Sequence, residues 1–254
     1  RGSEFAFGET VNTYYEFDKA KVVLSIDADF TYGAGPAYVR YARDFASGRR
    51  LRDDERNELN RLYVVESTPS ATGSIADHRL ALDTGGIEAF TAALAKKLGA
   101  EVSGGSSYTD AAGWIGPLAD DLRRHRGASV VVAGDGQSAV VHALVHTIND
   151  ALGNTGNTVH HTAPLEVEPS DHATSITELV ADMKSGDVQV LLIVGGNPVY
   201  DAPGDLDFAG AIENVAFRAQ LSIAADETTE RCHWHIPESH FLETWSDIRA
   251  YDGT

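Results

Sequence analysis

The stretch SVVVAGDGQSAVVHALVHTINDALG, residues 129–153, decides the fold. It opens with the β-branched run Ser129–Ala133, which predicts a buried strand. Gly134-Asp135-Gly136 predicts a tight turn, and Ser138–Leu152 has the apolar spacing of a helix that ends at Gly153. A strand that passes through a glycine turn into a helix is the repeating unit of α/β proteins with parallel sheets.

The same alternation recurs along the chain. Further strands are predicted at Lys21–Ile26, Arg61–Glu66, Thr158–His161, Val188–Val194, Arg218–Ile223 and His233–Ile236. Helices are predicted at Pro36–Ala46, Ile87–Leu98, Trp114–His125, Ser175–Lys184 and Asp205–Asn214, with a charged connection at Arg49–Asn60 and a Gly/Ser turn at Ser103–Ser107. We therefore expect an α/β fold of doubly wound, Rossmann-like parallel sheets with helices on both faces. It divides into two α/β parts, residues 6–152 and 153–254.

The start of the chain, Arg1-Gly2-Ser3-Glu4-Phe5, resembles a cloning scar. Residues 1–5 are therefore left out of the fold prediction. We expect the sequence to be a piece of a longer chain, so that any targeting signal lies outside it.

Composition excludes several classes of function. The 254 residues carry a net charge of −18, from 38 acids and 20 bases, which repels nucleic acid and anionic membrane surfaces. The few bases are mostly arginine, a balance found in halophilic proteins and also in ordinary acidic domains. The single cysteine, Cys232, excludes an internal disulfide, a CxxC zinc site and an iron–sulfur cluster within this chain. No apolar run approaches the roughly 18 residues of a membrane span, so direct membrane insertion is not expected.

Three turns between a strand and a helix are candidate ligand sites. They are Ile26–Asp29, Gly134–Ser138 and Gly195–Pro198, each at the carboxyl end of a predicted strand, where open α/β sheets bind ligands. None has the GxGxxG or P-loop pattern. Asp27 and Asp29 would repel a phosphate rather than hold one.

Histidines and acidic pairs offer weaker candidates. His142 and His146 have the i, i+4 spacing of a metal pair but lack the glutamate of HExxH, so we interpret them as helix residues that face a loop or a neighbouring layer. Cys232, His233, His235 and His240 form a second cluster, for which we also expect no metal. The acidic pairs Asp53-Asp54 and Asp120-Asp121 are typical of solvated faces. No nucleophile elbow is present, and no catalytic residue is predicted.

Taken in order, several segments resemble the central α/β domains of the molybdopterin oxidoreductases of the DMSO-reductase type. They are Ala76–Leu82 (ADHRLAL), Ser129–Gly156 with its GNxG turn, Val190–Pro198 (VLLIVGGNP) with its GxNP turn, and Asp226–Glu243 (DETTERCHWHIPESHFLE). The matches span residues 17–252. The resemblance implies that the guanine nucleotide end of a pterin cofactor would contact Gly195, Gly196, Asn197, Asp226, Glu227 and Thr228.

The departures from this family affect the cofactor pocket. Ser25–Asp29 replaces a GxNP-like turn, Glu66–Pro69 replaces an Asp-Pro-Arg sequence and its arginine, and Asp83–Gly86 replaces a PGTD-like turn. One half of the pocket has thereby gained carboxylates. In this respect the chain is similar to the branch without cofactor, the molybdopterin-like part of the iron–sulfur subunit of alternative complex III. Tyr41–Phe45 and Ser246–Thr254 also resemble that branch.

The resemblance implies a structural or docking domain of a respiratory quinol:electron-acceptor oxidoreductase, with no catalytic cofactor, no catalytic residue and no metal of its own. Iron–sulfur clusters would lie elsewhere in the parent chain, and the partners would be haem-binding and quinol-binding subunits at the periplasmic face of a bacterial inner membrane. Two alternatives stay open. One is a catalytic oxidoreductase with molybdopterin guanine dinucleotide, similar to polysulfide reductase. The other is a stand-alone α/β module that binds a small molecule at the Gly134 and Gly195 turns.

Overall fold

The structure, a computed structural model, describes residues 1–33, 35–51, 58–100, 108–110, 113–166 and 168–254. It divides into two compact units, Arg1–Leu165 with Arg249–Thr254 and Glu166–Ile248. The division follows Leu165, whereas the sequence analysis placed it after residue 152. The predicted turn at Ser103–Ser107, the acidic pair Asp53-Asp54 and the middle of the Arg49–Asn60 connection lie outside the described residues.

The first unit contains most of the helices and strands. In chain order they are α1 (Gly2–Phe7), β1 (Asn12–Tyr15), β2 (Val22–Ile26), α2 (Tyr38–Ser47), β3 (Arg61–Glu66), α3 (Ala71–Ser74), β4 (His78–Ala81), α4 (Thr84–Leu98), α5 (Ile115–Arg124), β5 (Ser129–Ala133), α6 (Ala139–Ala151) and β6 (Val159–Thr162). Helix α4 begins earlier than predicted because Asp83 caps it, accepting a hydrogen bond from the Gly86 N–H.

Four parallel strands form the main sheet of this unit, in the order β4-β3-β2-β5. Leu24 of β2 lies opposite Tyr63 of β3 and Val131 of β5. The predicted α/β fold is therefore confirmed. Strand β2 has its successor β3 on one side and β5 on the other, so the strand order reverses between β2 and β5.

Alternation along these strands divides the core into two layers. Val22, Leu24 and Ile26 pack with α4, α5 and α6, whose Phe90, Leu94, Leu118 and Ile148 are fully or almost fully buried. Val23 points the other way, into a cluster that includes Phe45 of α2 and the stacked pair Phe17–Phe30. Strands buried on both faces are continuously apolar, which is why β2 and β5 contain so few polar residues.

The chain start takes part in this unit. Residues 1–5, left out of the fold prediction as a scar, lie mostly within α1, which packs against α6. A Cβ atom added at Gly2 would overlap the Cβ of His142, so the two helices approach closely. Strands β1 and β6 form a separate antiparallel pair.

The second unit contains α7 (His172–Ser185), β7 (Val190–Val194), α8 (Pro198–Asp201), α9 (Phe208–Ile212), β8 (Phe217–Ser222) and β9 (Trp234–Pro237). Its three strands are parallel, in the order β7-β8-β9. The single helix predicted over Asp205–Asn214 is wrong, because Asp207 has a φ of +51° and separates a 3-10 turn at Gly204–Leu206 from α9. The Asp207 carboxylate then caps α9 by accepting from the Gly210 N–H.

Candidate functional site

The carboxyl ends of β2, β3 and β5 meet at one edge of the first sheet, where a ligand of an α/β protein binds. Asp27 and Asp29 follow β2, Glu66 ends β3, and Gly134 follows β5. A Cβ atom at Gly134 would overlap the Asp27 carbonyl oxygen, so only glycine allows the two turns to lie this close.

Asp27 joins the ends of all three strands. Its backbone is in the left-handed region, with a φ of +52°. Its carboxylate accepts hydrogen bonds from the Ser67 N–H at 3.0 Å and from the Gln137 side-chain amide at 2.8 Å. The carboxylate thus occupies donors from the turns after both β3 and β5.

Asp29 and Glu66 are held in the same way. Asp29 accepts from the Thr72 N–H at 2.8 Å and from the Thr72 hydroxyl at 2.6 Å. Glu66 is 1% exposed, accepts from the Ser70 hydroxyl at 2.6 Å and pairs with the Arg79 guanidinium of β4. The carboxylates of Asp27, Asp29 and Glu66, which the sequence predicts at this edge, therefore accept hydrogen bonds from donors of the protein itself.

Arg79 is a residue that the sequence analysis missed here. The second strand has no arginine of its own at its end, but β4 lies beside β3 with Arg79 opposite Val64, and its guanidinium reaches Glu66. Arg79 lies within Ala76–Leu82, a segment that the sequence singles out only by its resemblance. An acid at the end of one strand and a base on the next segment are a detectable pattern, but only the parallel pairing of β3 and β4 brings the two together.

A cavity of about 470 Å³ lies beside the point where the strand order reverses. Its lining includes Tyr15, Tyr41, Asp29, Asp135, His142 and His146. The two histidines thus face a cavity, a placement that the sequence analysis did not specify. Burial lowers the pKa of His142 and lowers that of His146 to about 4, with a smaller contribution from neighbouring histidines at His146. At neutral pH both imidazoles are uncharged.

In the second unit, the six residues implied by the resemblance come together at the carboxyl ends of β7 and β8. Gly195, Gly196 and Asn197 follow β7, and Asp226, Glu227 and Thr228 follow β8. The Asn197 amide nitrogen donates to the Glu227 carboxylate at 2.6 Å, and the Thr228 hydroxyl donates to the Asn197 side-chain oxygen at 2.7 Å. Both groups of the Asn197 amide are therefore bonded within the protein.

Gln220 and Asp226 complete this network. Gln220 is fully buried, and its amide nitrogen donates to the Gly196 carbonyl at 3.0 Å and to the Asp226 carboxylate at 3.1 Å. Desolvation opposes ionisation of Asp226, but hydrogen bonds from Thr229, Gln220 and Thr228 outweigh it and lower the pKa of this carboxyl group. The pKa of Glu227 is also lowered, first by the hydrogen bond from Asn197. This edge is anionic at neutral pH.

The glycines of this edge keep their backbone accessible. Gly195 and Gly196 have φ values of +66° and +71°, a region that favours glycine. Around the position of an added Cβ at either residue, nothing in the described part of the chain lies within 4 Å. The turn therefore leaves room for a ligand, and the carboxylates of Asp226 and Glu227 belong to the same edge.

The second histidine cluster has ordinary structural contacts. His235 makes hydrogen bonds with Ser222, and His233 stacks on Phe217 and accepts from the Arg218 N–H. Within the described ranges, no group of three or more His, Cys, Asp or Glu side chains has an arrangement that could hold a metal ion. Over the same residues, no helix has the length and apolar character of a membrane-crossing helix.

Neither sequence comparison assigns the chain to a family. A scan against protein-family models finds no match, and a search of curated proteins finds no match either.

Proposed function

We propose that this chain is a molybdopterin oxidoreductase-like domain that binds no pterin cofactor and acts as a docking part of a respiratory quinol:electron-acceptor oxidoreductase. One observation carries the proposal. Asp27, Asp29 and Glu66 accept hydrogen bonds from Ser67, Thr72 and Ser70 at the carboxyl edge of the first sheet, so the protein's own carboxylates occupy these donors. The ordered resemblance of the segments and the parallel α/β architecture support the assignment to this family.

A pyrophosphate would not find the donors of Ser67, Ser70 and Thr72 free at this edge. Such a ligand needs N–H and O–H donors that point at it, and here those of Ser67, Ser70 and Thr72 already serve carboxylates. Binding would have to displace these carboxylates and then bring two more negative charges beside them. At a separation of about 4 Å, two like charges repel by about 4 kcal/mol at the effective dielectric constant of a protein surface.

Thermal unfolding of this chain with GDP and GTP tests the missing nucleotide site. We expect no change in Tm at millimolar nucleotide. A ligand present at 100 times its Kd would stabilise the chain by about 2.7 kcal/mol, so a saturable rise in Tm would contradict the proposal. Molybdenum, tungsten and pterin analysis of the native full-length protein gives a second test, in which near-stoichiometric metal and pterin would identify a catalytic enzyme instead.

The docking role has its own test. A tagged form of the native full-length protein, purified from detergent-solubilised membranes, should carry stoichiometric haem and iron, visible in the absorption spectrum. A preparation free of haem and iron would overturn the assignment to a respiratory complex, whatever the outcome of the nucleotide measurements.

The 470 Å³ cavity favours a second candidate function, the binding of a small molecule, since ligand pockets have volumes of this order. A thermal-shift panel of neutral and cationic metabolites tests it. A saturable rise in Tm should disappear in Tyr38→Ala, which changes the cavity lining, and should persist in the matched variant Tyr200→Ala in the second unit. A panel without any saturable rise would remove this candidate.

A further inference from the structure

One face of the three-stranded sheet in the second unit is apolar and uncovered. The parallel register places side chains of β7, β8 and β9 in rows on the same face. On β7, Leu192 is 67% exposed and Val194 is 75% exposed, and on β9, Trp234 is 63% exposed. We call this surface the open face, and it comprises Val190, Leu192, Val194, Phe217, Ala219, Leu221, Trp234 and Ile236.

The opposite face of the same sheet is covered. Leu191 and Ile193 of β7 point into a core with Met183 of α7 and with Phe208 and Ile212 of α9. Parallel sheets occur almost only with both faces covered, because their strands are apolar on both sides. The open face contains no charged residue, so water gives it no compensating interaction.

In α/β proteins, helices cover both faces of a parallel sheet, so a helix is the element expected on the open face. In the middle row, the small Ala219 of β8, which is 5% exposed, lies between the larger Leu192 and Trp234. Phe217 and Leu221 lie on either side of Ala219 on the same strand, so the depression at Ala219 is one row long. The open face is three rows long, and alternate residues of a strand are about 6.6 Å apart, so its length along the strands is about 13 Å. An α-helix covers that distance with about nine residues, a little more than two turns.

The acidic composition of the second unit favours basic residues along the margins of that helix. Between residues 166 and 248 there are 16 acidic residues and 3 basic ones. The bases already have acceptors in the unit, since Lys184 donates to the Leu206 carbonyl, and Arg218 and Arg231 both pair with Glu213. A second copy of this unit would add its own acidic surface, and the like charges would repel. A helix with an apolar stripe flanked by lysine or arginine would complement both the apolar open face and the acidic surface of this unit.

We propose that the open face is the docking surface for an amphipathic helix of a partner subunit, with an apolar stripe of at least two turns and basic residues along both margins. The inference deepens the docking role proposed above and rests on it. Its test uses no nucleotide, metal or pterin. A failed peptide test therefore contradicts the docking surface, whereas binding of nucleotide or pterin contradicts the absence of a cofactor.

The probe is a synthetic helical peptide of 20 residues with leucine at i, i+3, i+4 and i+7 positions and lysine elsewhere. A second peptide has glutamate in place of lysine. Binding to this chain is measured by fluorescence anisotropy of the labelled peptides. We expect saturable binding of the lysine peptide and at least about tenfold weaker binding in Leu192→Ser, the loss typical of a central apolar contact.

Leu192→Ser keeps the net charge, so purely electrostatic attraction of the lysine peptide survives it. Val140→Ser, at a residue of the first unit that is 44% exposed, is the matched control and should bind like the unmodified chain. Circular dichroism of both variants verifies folding. Equal binding by Leu192→Ser and Val140→Ser, or equal binding of the lysine and glutamate peptides, would overturn the inference.

Sedimentation of the chain alone tests the other occupant. We expect a monomer at micromolar concentration. A dimer that Leu192→Ser converts to monomer would show that a second copy covers the open face, and the proposed partner helix would then be wrong.

Discussion

Replacing Asp121 by asparagine tests how the first unit is held together. Asp121 of α5 is 1% exposed, and its carboxylate accepts from the Arg61 guanidinium at 2.6 Å, the Tyr63 hydroxyl at 2.9 Å and the Arg124 guanidinium at 3.1 Å. These contacts connect α5 to β3. Asparagine has nearly the same shape but no charge and only one acceptor oxygen, so the variant isolates the ionic hydrogen bonds.

The size of the effect follows from the exposure of the partners. Removing one member of a fully buried ion pair costs about 3–5 kcal/mol. The side chains of Arg61 and Arg124 are 46% and 67% exposed, so water solvates them once the carboxylate is gone. A hydrogen bond to a charged group contributes about 1.5–3 kcal/mol, and we expect a loss near that range, about 2–3 kcal/mol. For a domain of this size the loss lowers Tm by about 4–12 °C.

The assay is urea and thermal unfolding of Asp121→Asn beside Asp120→Asn. The side chain of Asp120 is 63% exposed, and its pair with Arg123 is 3.4 Å long, so its loss should cost less than about 0.5 kcal/mol. Equal destabilisation by the two neighbouring substitutions would refute the reasoning.

Acid titration gives an independent measurement of the same contact. Although burial alone would raise it, the pKa of Asp121 is lowered by hydrogen bonds from Arg61, Tyr63 and Arg124. A carboxyl group with a lowered pKa in the folded state contributes stability above its unfolded pKa, and that contribution disappears as pH falls through the folded value. Asp121→Asn should therefore lose less stability than the unmodified chain between pH 5 and 3.

Three further predictions concern the candidate sites. Gly134→Ala should destabilise the chain by about 1–3 kcal/mol, because its Cβ overlaps a carbonyl oxygen of the turn after β2, whereas Gly136→Ala has open space and should have little effect in the same urea titration. The NMR titration of His146 should have its midpoint near pH 4, and because its folded pKa is lowered, the chain should lose stability as pH falls from 6.5 towards 4; a midpoint near 6.5 would contradict its burial. Thr228→Val should cost about 1–3 kcal/mol, since it leaves buried groups of the β7–β8 network without a partner, and the exposed Thr244→Val should be neutral; a loss of similar size in both would show that the network contributes nothing.

The local apolar pattern was sufficient to predict the strands that are built on continuous apolar runs. The predicted bounds of Arg61–Glu66 and Ser129–Ala133 agree with the structure at both ends. Such a run loses little by being buried on both faces, so propensity, burial and hydrogen bonding favour the same conformation. Asp207 shows the opposite case, because a polar residue in a left-handed conformation interrupts the helix that the apolar spacing predicts over Asp205–Asn214.

The sites were predictable to the extent that parallel strands bring their carboxyl ends to one edge. That rule is enough to bring Gly195, Asn197 and Thr228 together, and the structure does so. The sequence did not predict which hydrogen-bond donors at these edges are bonded to the protein's own carboxylates. Whether Asp27 is a free charge or a ligand of Ser67 and Gln137 depends on residues 40 and 110 positions away in the chain.

The sequence by itself determined the α/β class, the acidic edges and the positions of all strands in the described residues except β1 and β4, because each depends on residues that are close in the chain. Only the tertiary structure decided which carboxylates have partners, that Asp121 is buried while its neighbour Asp120 is exposed, and that the apolar run Val190–Val194 is covered on one face alone. The physical reason is that apolar spacing specifies a strand that can be buried, whereas the elements that cover it come from distant parts of the chain or from another molecule.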